Sequence, residues 1–369
     1  MIISINNAFE ATIIFNIILG IILLLSLRKK NDKGIFPISL SQELKGIAIL
    51  LVVFSHVGYF LVTDNRFLFP LSDLAGVGVD LFLFLSGLGL TASAFKNKLP
   101  ILNFYHKHFL KLFTPLWLTL IGLLTLDFFV LKITYSWQFI AKSFLGIFTT
   151  ADIYKDIDSP LWYFTLILFY YLVFPIFFSK KRPWLSAIII YAVSYIILYL
   201  NIPAIYNVSF FHEKHIIAFP LGMIISWIFY QLADKNKINI NKYASIIGRY
   251  TLIAMLIAFI FYSHSYFRQL TNPDQIQFAS IATVLAIIII FMAKKFEFKL
   301  LSLIGVYSYE IYLLHWPIMY RYDFIYQYLP AWLATLIYIP VLITIAWLFK
   351  KLVDLILNRK KPSKNEMKD

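Results

Sequence analysis

Glu43-Leu-Lys-Gly-Ile-Ala-Ile-Leu-Leu-Val-Val-Phe-Ser-His56 opens an apolar run at about 44–62, far longer than a buried strand. Further runs fall at about 10–27, 74–94, 110–131, 160–178, 184–200, 213–231, 247–264, 278–293, 300–320 and 331–356. Their lengths approach or exceed the roughly 20 residues that a helix needs to cross about 30 Å of hydrocarbon. Of 369 residues, 60% are hydrophobic and 14% charged, against roughly a quarter charged in a soluble domain, so no soluble core can hide the runs. A β-barrel would instead alternate over segments of about ten residues. The sequence therefore predicts an all-α polytopic integral membrane bundle of about eleven transmembrane helices.

The net charge of +14 sits in short basic clusters between the runs, a pattern of topology and anionic lipid contact, not of nucleic-acid binding. Placing Arg28-Lys29-Lys30 in the cytoplasm and alternating sides puts 26 of the 33 Lys and Arg inside and seven outside. The inside clusters include Lys180-Lys181-Arg182, Lys294-Lys295 and Arg359-Lys360-Lys361, so the N-terminus is expected outside and the C-terminus in the cytoplasm. The first run lacks a basic region before it and a small-residue cleavage site, and reads as a retained helix. The expected organisation is an extra N-terminal helix and basic loop over 1–40, a membrane domain over 41–356 and a basic tail over 357–369. No inserted polar stretch of domain size occurs, which confines any chemistry to the membrane. The longest external segment, about 132–159, carries Asp152, Lys155, Asp156 and Asp158 and is the one large enough to shape a lid or acceptor site. The absence of Cys excludes disulfides, thiolate metal sites and cysteine nucleophiles.

Ionisable groups inside spans cost several kcal/mol, so each is a functional candidate. Lys45 and His56 are eleven residues apart, almost three helical turns, hence on one face and about 16 Å apart along the axis. Lys45 falls at the cytoplasmic mouth, as a snorkelling anchor or a ligand group, and His56 near the midplane, as a catalytic or interhelical imidazole. Ser308-Tyr-Glu-Ile-Tyr-Leu-Leu-His315 brings a second imidazole to a similar depth; Ser308 and His315 share a face, while Glu310 points away. Gly76-Val-Gly-Val-Asp80-Leu-Phe-Leu-Phe-Leu-Ser86-Gly87 permits close helix approach and buries Asp80, whose expected partner is His56, Lys45 or a substrate hydroxyl. Lys107 and Lys111 form a basic patch that suits phosphate or plain positive-inside bias, and Leu161-Trp162-Tyr163 can be an interfacial anchor. His106, His108, His212 and His215 lie at expected helix ends, without further metal ligands, and read as surface histidines.

Taken in order, these blocks resemble the acyltransferase family 3 membrane proteins, the group that includes O-antigen and peptidoglycan O-acetyltransferases and fucose 4-O-acetylase-like enzymes. The likeness runs from about residue 40 to 320. The family's basic residue, ten residues and histidine resemble Lys45 to His56, and its Gly-Val-Asp with Ser-Gly resembles Gly78 to Gly87. Its basic patch before an aromatic Pro-containing helix is similar to Lys107 to Trp117, its Leu-Trp-Tyr to Leu161 to Tyr163, and its Ser-Tyr with Tyr-Leu and His to Ser308 to His315. Lys45 and Lys107 stand where the family often has arginine, and lysine lacks the planar fork for phosphate. The extra helix precedes a core that commonly has ten spans.

The resemblance implies an acetyl-CoA or other acyl-CoA donor used from the cytoplasm, no metal, and a sugar hydroxyl on an extracytoplasmic or lipid-linked glycan as acceptor, in the plasma membrane of a bacterium. Under it Lys45, Lys107 and Lys111 neutralise CoA phosphates and His56 is the general base. Asp80 orients His56; Ser308, Tyr312 and His315 serve the oxyanion or shape the same cavity; Trp162, Tyr163, Glu310 and Ser86 line the substrate site. A transporter of a glycan or lipid precursor is the rival reading, since polar groups around a midplane cavity suit both.

Overall fold

The computed structural model describes residues 3–5, 7–30, 34–97, 100–152, 155–200, 202, 205–234, 246–267, 270 and 272–357. The expected tail beyond Leu357, with Arg359-Lys360-Lys361, lies outside the described residues. The α-helices are α1 (Ala8–Leu25), α2 (Ile38–His56), α3 (Ala75–Lys96), α4 (Ile101–Leu126), α5 (Trp137–Phe144), α6 (Trp162–Phe177) and α7 (Pro183–Tyr199). They continue as α8 (Ser209–Glu213), α9 (Ala218–Asp234), α10 (Ile246–Phe267), α11 (Pro273–Ala293), α12 (Lys299–Val306), α13 (Ser308–Trp316) and α14 (Ala331–Ile356). The chain is a polytopic helical membrane protein, with eight helical stretches long and apolar enough to cross a bilayer among the described residues. Helices also cover the remaining apolar runs: α7 has 17 residues, α10 has 22, and the run at 300–320 is divided. Tyr307, at φ −106° and ψ 11°, separates α12 from α13, so the single helix expected there is broken.

The stretch Ile38–Leu61 lies at the centre, 72% buried, against 22% for Ala8–Leu25 and 28% for Ala331–Ile356. Glycine allows its neighbours to approach. A Cβ at Gly46 would lie 2.1 Å from the Leu301 carbonyl oxygen, and one at Gly305 would lie 1.8 Å from that of Gln42, so α2 and α12 touch backbone to backbone. Gly87 and Gly222 do the same for α3 and α9, at 2.2 Å from the Phe219 oxygen and 2.1 Å from the Phe84 oxygen.

At one end, Leu27–Lys29 pairs antiparallel with Phe296–Phe298, and Arg28 meets Glu297 at 2.7 Å. Beneath this ribbon Lys294 Nζ donates to both Glu43 oxygens at 2.7 and 2.9 Å, and the Phe298 amide donates to Glu43 at 2.6 Å. Two basic clusters far apart in sequence thus share one end of the bundle. At another point the 132–159 segment is clamped by Arg321, which donates to Asp127, to Tyr135 Oη at 2.6 Å and to the Asp156 carbonyl at 2.5 Å. Tyr135 and Tyr322 each donate to the Asp127 carboxylate at 2.5 Å. Burial pushes the Tyr135 hydroxyl up to about 12.

Gly222→Ala is expected to destabilise the detergent-solubilised protein by about 1–3 kcal/mol through overpacking at the α3–α9 contact. Gly89→Ala, where an added Cβ meets nothing within 4 Å, should be neutral or gain up to about 1 kcal/mol of helix propensity. Thermal unfolding of the two variants checks the contrast.

Candidate active site

Two cavities lie back to back in the bundle. The larger, about 600 Å³, is lined by His56, His215, Trp162, Ser280 and Lys214 among mainly apolar and aromatic groups. The smaller, about 240 Å³, is lined by Lys45, Lys111, Lys350, Glu310, Asp354, Ser86 and Ser308. Phe82, Tyr163 and Tyr312 line both, and so form the wall between them. Tyr163 packs edge to face on Tyr312 at 5.5 Å between ring centroids, with Phe82 at 6.4 Å from Tyr163. The Tyr312 hydroxyl is anchored by donating to the Pro160 carbonyl at 2.9 Å.

His56 is the last residue of α2, and a π-helical turn, Val57–Leu61, follows it. His315 lies in the last turn of α13, before a second π turn at Pro317–Arg321, where proline supplies no backbone N–H. The two imidazoles meet there, His315 Nε2 lying 3.4 Å from His56 Nδ1. Their tautomers follow from their partners. A carbonyl only accepts, so His315 Nδ1–H donates to Tyr312 at 2.9 Å and to Ile311 at 3.1 Å, which leaves a lone pair on Nε2 facing His56. His56 Nδ1–H donates to the Val52 carbonyl at 2.8 Å, with His315 Nε2 as a second, longer acceptor. In the neutral pair the lone pair of His56 Nε2 remains available on a residue that lines the larger cavity. Such a nitrogen can take a proton, and the imidazolium formed would keep both Nδ1 contacts.

Several expected residues are placed otherwise. Asp80 is fully buried and bonded neither to His56 nor to Lys45: His215 Nδ1–H donates to it at 2.8 Å, and the Ser280 hydroxyl also donates. His212 and His215 are only 4% and 5% exposed, not surface histidines, because the turn after the five-residue α8 folds under α6 and α11. Ser308 does not share a cavity with His56, and His315 lines neither cavity; Ser308 lies two turns before His315 on the far side of the Tyr312 ring, with Ser86 in the lysine cavity. Lys107 is exposed and lines neither cavity, since the lysine cavity ends at Lys111, one turn or about 6 Å further along α4. Glu310 is half of an ion pair with Lys350 at 3.1 Å, a lysine that sequence reading missed because it resembles ordinary positive-inside bias. Trp162 and Tyr163 do line the His56 cavity, and Lys45 and Lys111 do come together. In the 132–159 segment Asp158 is buried without a hydrogen-bond partner among the described residues, and burial raises its carboxyl well above the usual range.

Residues 44–351 match the family described as an acyltransferase domain, the acyltransferase 3 family. The chain belongs to that family, and is an acyltransferase of the membrane. No curated protein and no solved structure matches it.

Asp80→Ala strands the His215 and Ser280 donors, each at a cost of about 1–3 kcal/mol. Asp80→Asn keeps an acceptor for His215 and a donor for Ser280, so thermal unfolding should show it losing less than half as much.

Proposed function

We propose that the chain is an O-acyltransferase that carries an acyl group, acetyl by preference, from cytoplasmic acyl-CoA to a hydroxyl of an extracytoplasmic or lipid-linked glycan. The observation that carries this reading is the pair of unlike cavities with a shared wall of Phe82, Tyr163 and Tyr312. Lys45, Lys111 and Lys350 give the smaller cavity a cationic lining for CoA phosphates, so it takes the donor from the inside. The thioester end of the pantetheine arm passes the aromatic wall toward His56, and the acceptor enters the larger cavity from the opposite side. His56 Nε2 takes the proton of the acceptor hydroxyl as its oxygen attacks the thioester carbonyl. The tetrahedral intermediate collapses with cleavage of the C–S bond, and the imidazolium returns the proton to the CoA thiolate. His315, through its lone pair on Nε2, orients His56 and supports its charged form.

The topology in this reading has eleven spans, an outside N-terminus and a cytoplasmic C-terminus, in a bacterial plasma membrane. It is supported by the pairing of Leu27–Lys29 with Phe296–Phe298, which sets two clusters assigned to the cytoplasm side by side. A glycan exporter is the second reading, favoured by the broken helix at Tyr307.

The test is release of free CoA from acetyl-CoA by the purified protein with a panel of cell-surface glycans. His56→Ala is expected to lower turnover about 10²–10⁴-fold. Lys45→Ala should raise the KM for acetyl-CoA and leave that for the acceptor unchanged. No release with any donor or glycan, from folded protein, would favour the exporter.

A further inference from the structure

The transfer just described makes no use of Asp80, yet three parts of the fold converge on it. Asp80 comes from α3, Ser280 from α11, and His215 from the turn between α8 and α9. Because Nδ1–H of His215 is committed to Asp80 at 2.8 Å, Nε2 lies on the opposite edge of the ring and bonds to no described residue. Both His215 and Ser280 line the cavity that holds His56. The ring of His215 is also held flat: Trp162 stacks on it at 5.8 Å and 22°, and Phe211 stacks on Trp162 at 5.2 Å and 27°. If the dyad served stability alone, well-packed apolar residues would do as well or better, since a buried ionic pair is weak evidence for stabilisation. The arrangement instead presents a polar atom held in a fixed place among mainly apolar and aromatic groups, the pattern of a site that orients a ligand.

We propose that His215 is a second substrate-contacting residue, which hydrogen-bonds a hydroxyl of the sugar acceptor through Nε2 and so selects the neighbouring hydroxyl that reaches His56. Asp80 and Ser280 act through it as positioning residues. This rests on the acyl-transfer reading above. A sugar ring is the fitting chemistry: it presents several hydroxyls at fixed spacing together with an apolar C–H face for the walls of Trp162 and Tyr163, within a volume of about 600 Å³.

The experiment measures steady-state kinetics with acetyl-CoA as donor and the methyl glycosides of glucose, galactose and N-acetylglucosamine as acceptor probes, with the acylated position read by NMR. His215→Asn keeps an amide N–H for Asp80 while removing the atom at the Nε2 position. It is expected to lower kcat/KM for the acceptor about 10–100-fold, to leave the acetyl-CoA KM within about twofold, and to yield mixed positional isomers where the wild type gives one. His215→Gln, which restores a polar atom near the Nε2 position, should recover part of the loss. Unchanged acceptor kinetics with a single isomer, or an equal loss toward donor and acceptor, would overturn the proposal. Wild-type protein that releases no CoA with any probe would overturn the acyl-transfer reading and this inference together. Where His215→Asn does not fold, carbethoxylation of wild-type His215, mapped by mass spectrometry, decides. Slowing by the methyl glycoside severalfold supports the proposal, and equal labelling with and without it rejects it.

Discussion

A charge or hydrogen-bonding group left unpaired in hydrocarbon loses several kcal/mol, and this constraint sets the arrangement of the bundle more than apolar contact can. Lipid tails are as apolar as leucine, so a leucine face gains little by choosing a helix over the bilayer. Polar pairs do choose. Asp80 ties α3 to α11 and to the turn before α9, and Glu43 ties α2 to Lys294 just after α11. Asp127 ties the end of α4 to Arg321 after α13, and Glu310 ties α13 to α14 through Lys350. Each pair joins separate elements, most of them remote in sequence, and fixes their depth relative to one another. The backbone contacts at Gly46, Gly305, Gly87 and Gly222 then allow the helices so paired to close up.

One turn of α13 does three things at once. The Tyr312 side chain forms part of the wall between the cavities, its hydroxyl holds Pro160 in the turn just before α6, and its carbonyl accepts from His315 Nδ1. The tautomer of His315, and through it the orientation of His56, is therefore coupled to the position of the wall. Both histidines lie beside π turns, which widen the helix locally and let side chains leave the usual i, i+4 stack. The 132–159 segment is drawn into the same unit, because Arg321, at the end of the second π turn, reaches Asp127 and the Asp156 carbonyl.

The local features were legible in the sequence. Apolar run length marked the helices, and the eleven-residue spacing set Lys45 and His56 almost three turns apart on α2, where they line different cavities. His315 was recognisable as a second imidazole at similar depth, and it does meet His56. What depended on pairing across the chain was not legible. His215 is 135 residues from Asp80, beside a five-residue helix whose composition reads as surface. Ser308 and His315 share a helix, but two turns separate them and the ring at 312 stands between, which puts Ser308 in the lysine cavity and not in the one that holds His56. Buried Asp80 was the one available signal for His215: an acid in an apolar span demands a partner, and the histidines of the 212–215 segment were the candidates not considered.

The character of the two cavities bears on transfer against transport. An exporter moves one molecule through both vestibules, so each must accommodate the same chemistry in turn. Here one side gathers three lysines with two carboxylates, and the other gathers imidazoles on an aromatic surface. A glycan that suited the second would leave the lysines of the first without purpose, and an anionic donor that suited the first would find few counter-charges in the second. Two substrates of different chemistry, each confined to its own side and joined only across three aromatic rings, satisfy both linings. A thioester is narrow enough to be threaded past side chains while its nucleotide stays behind, so in the proposed reaction the wall need not open for anything as large as a sugar.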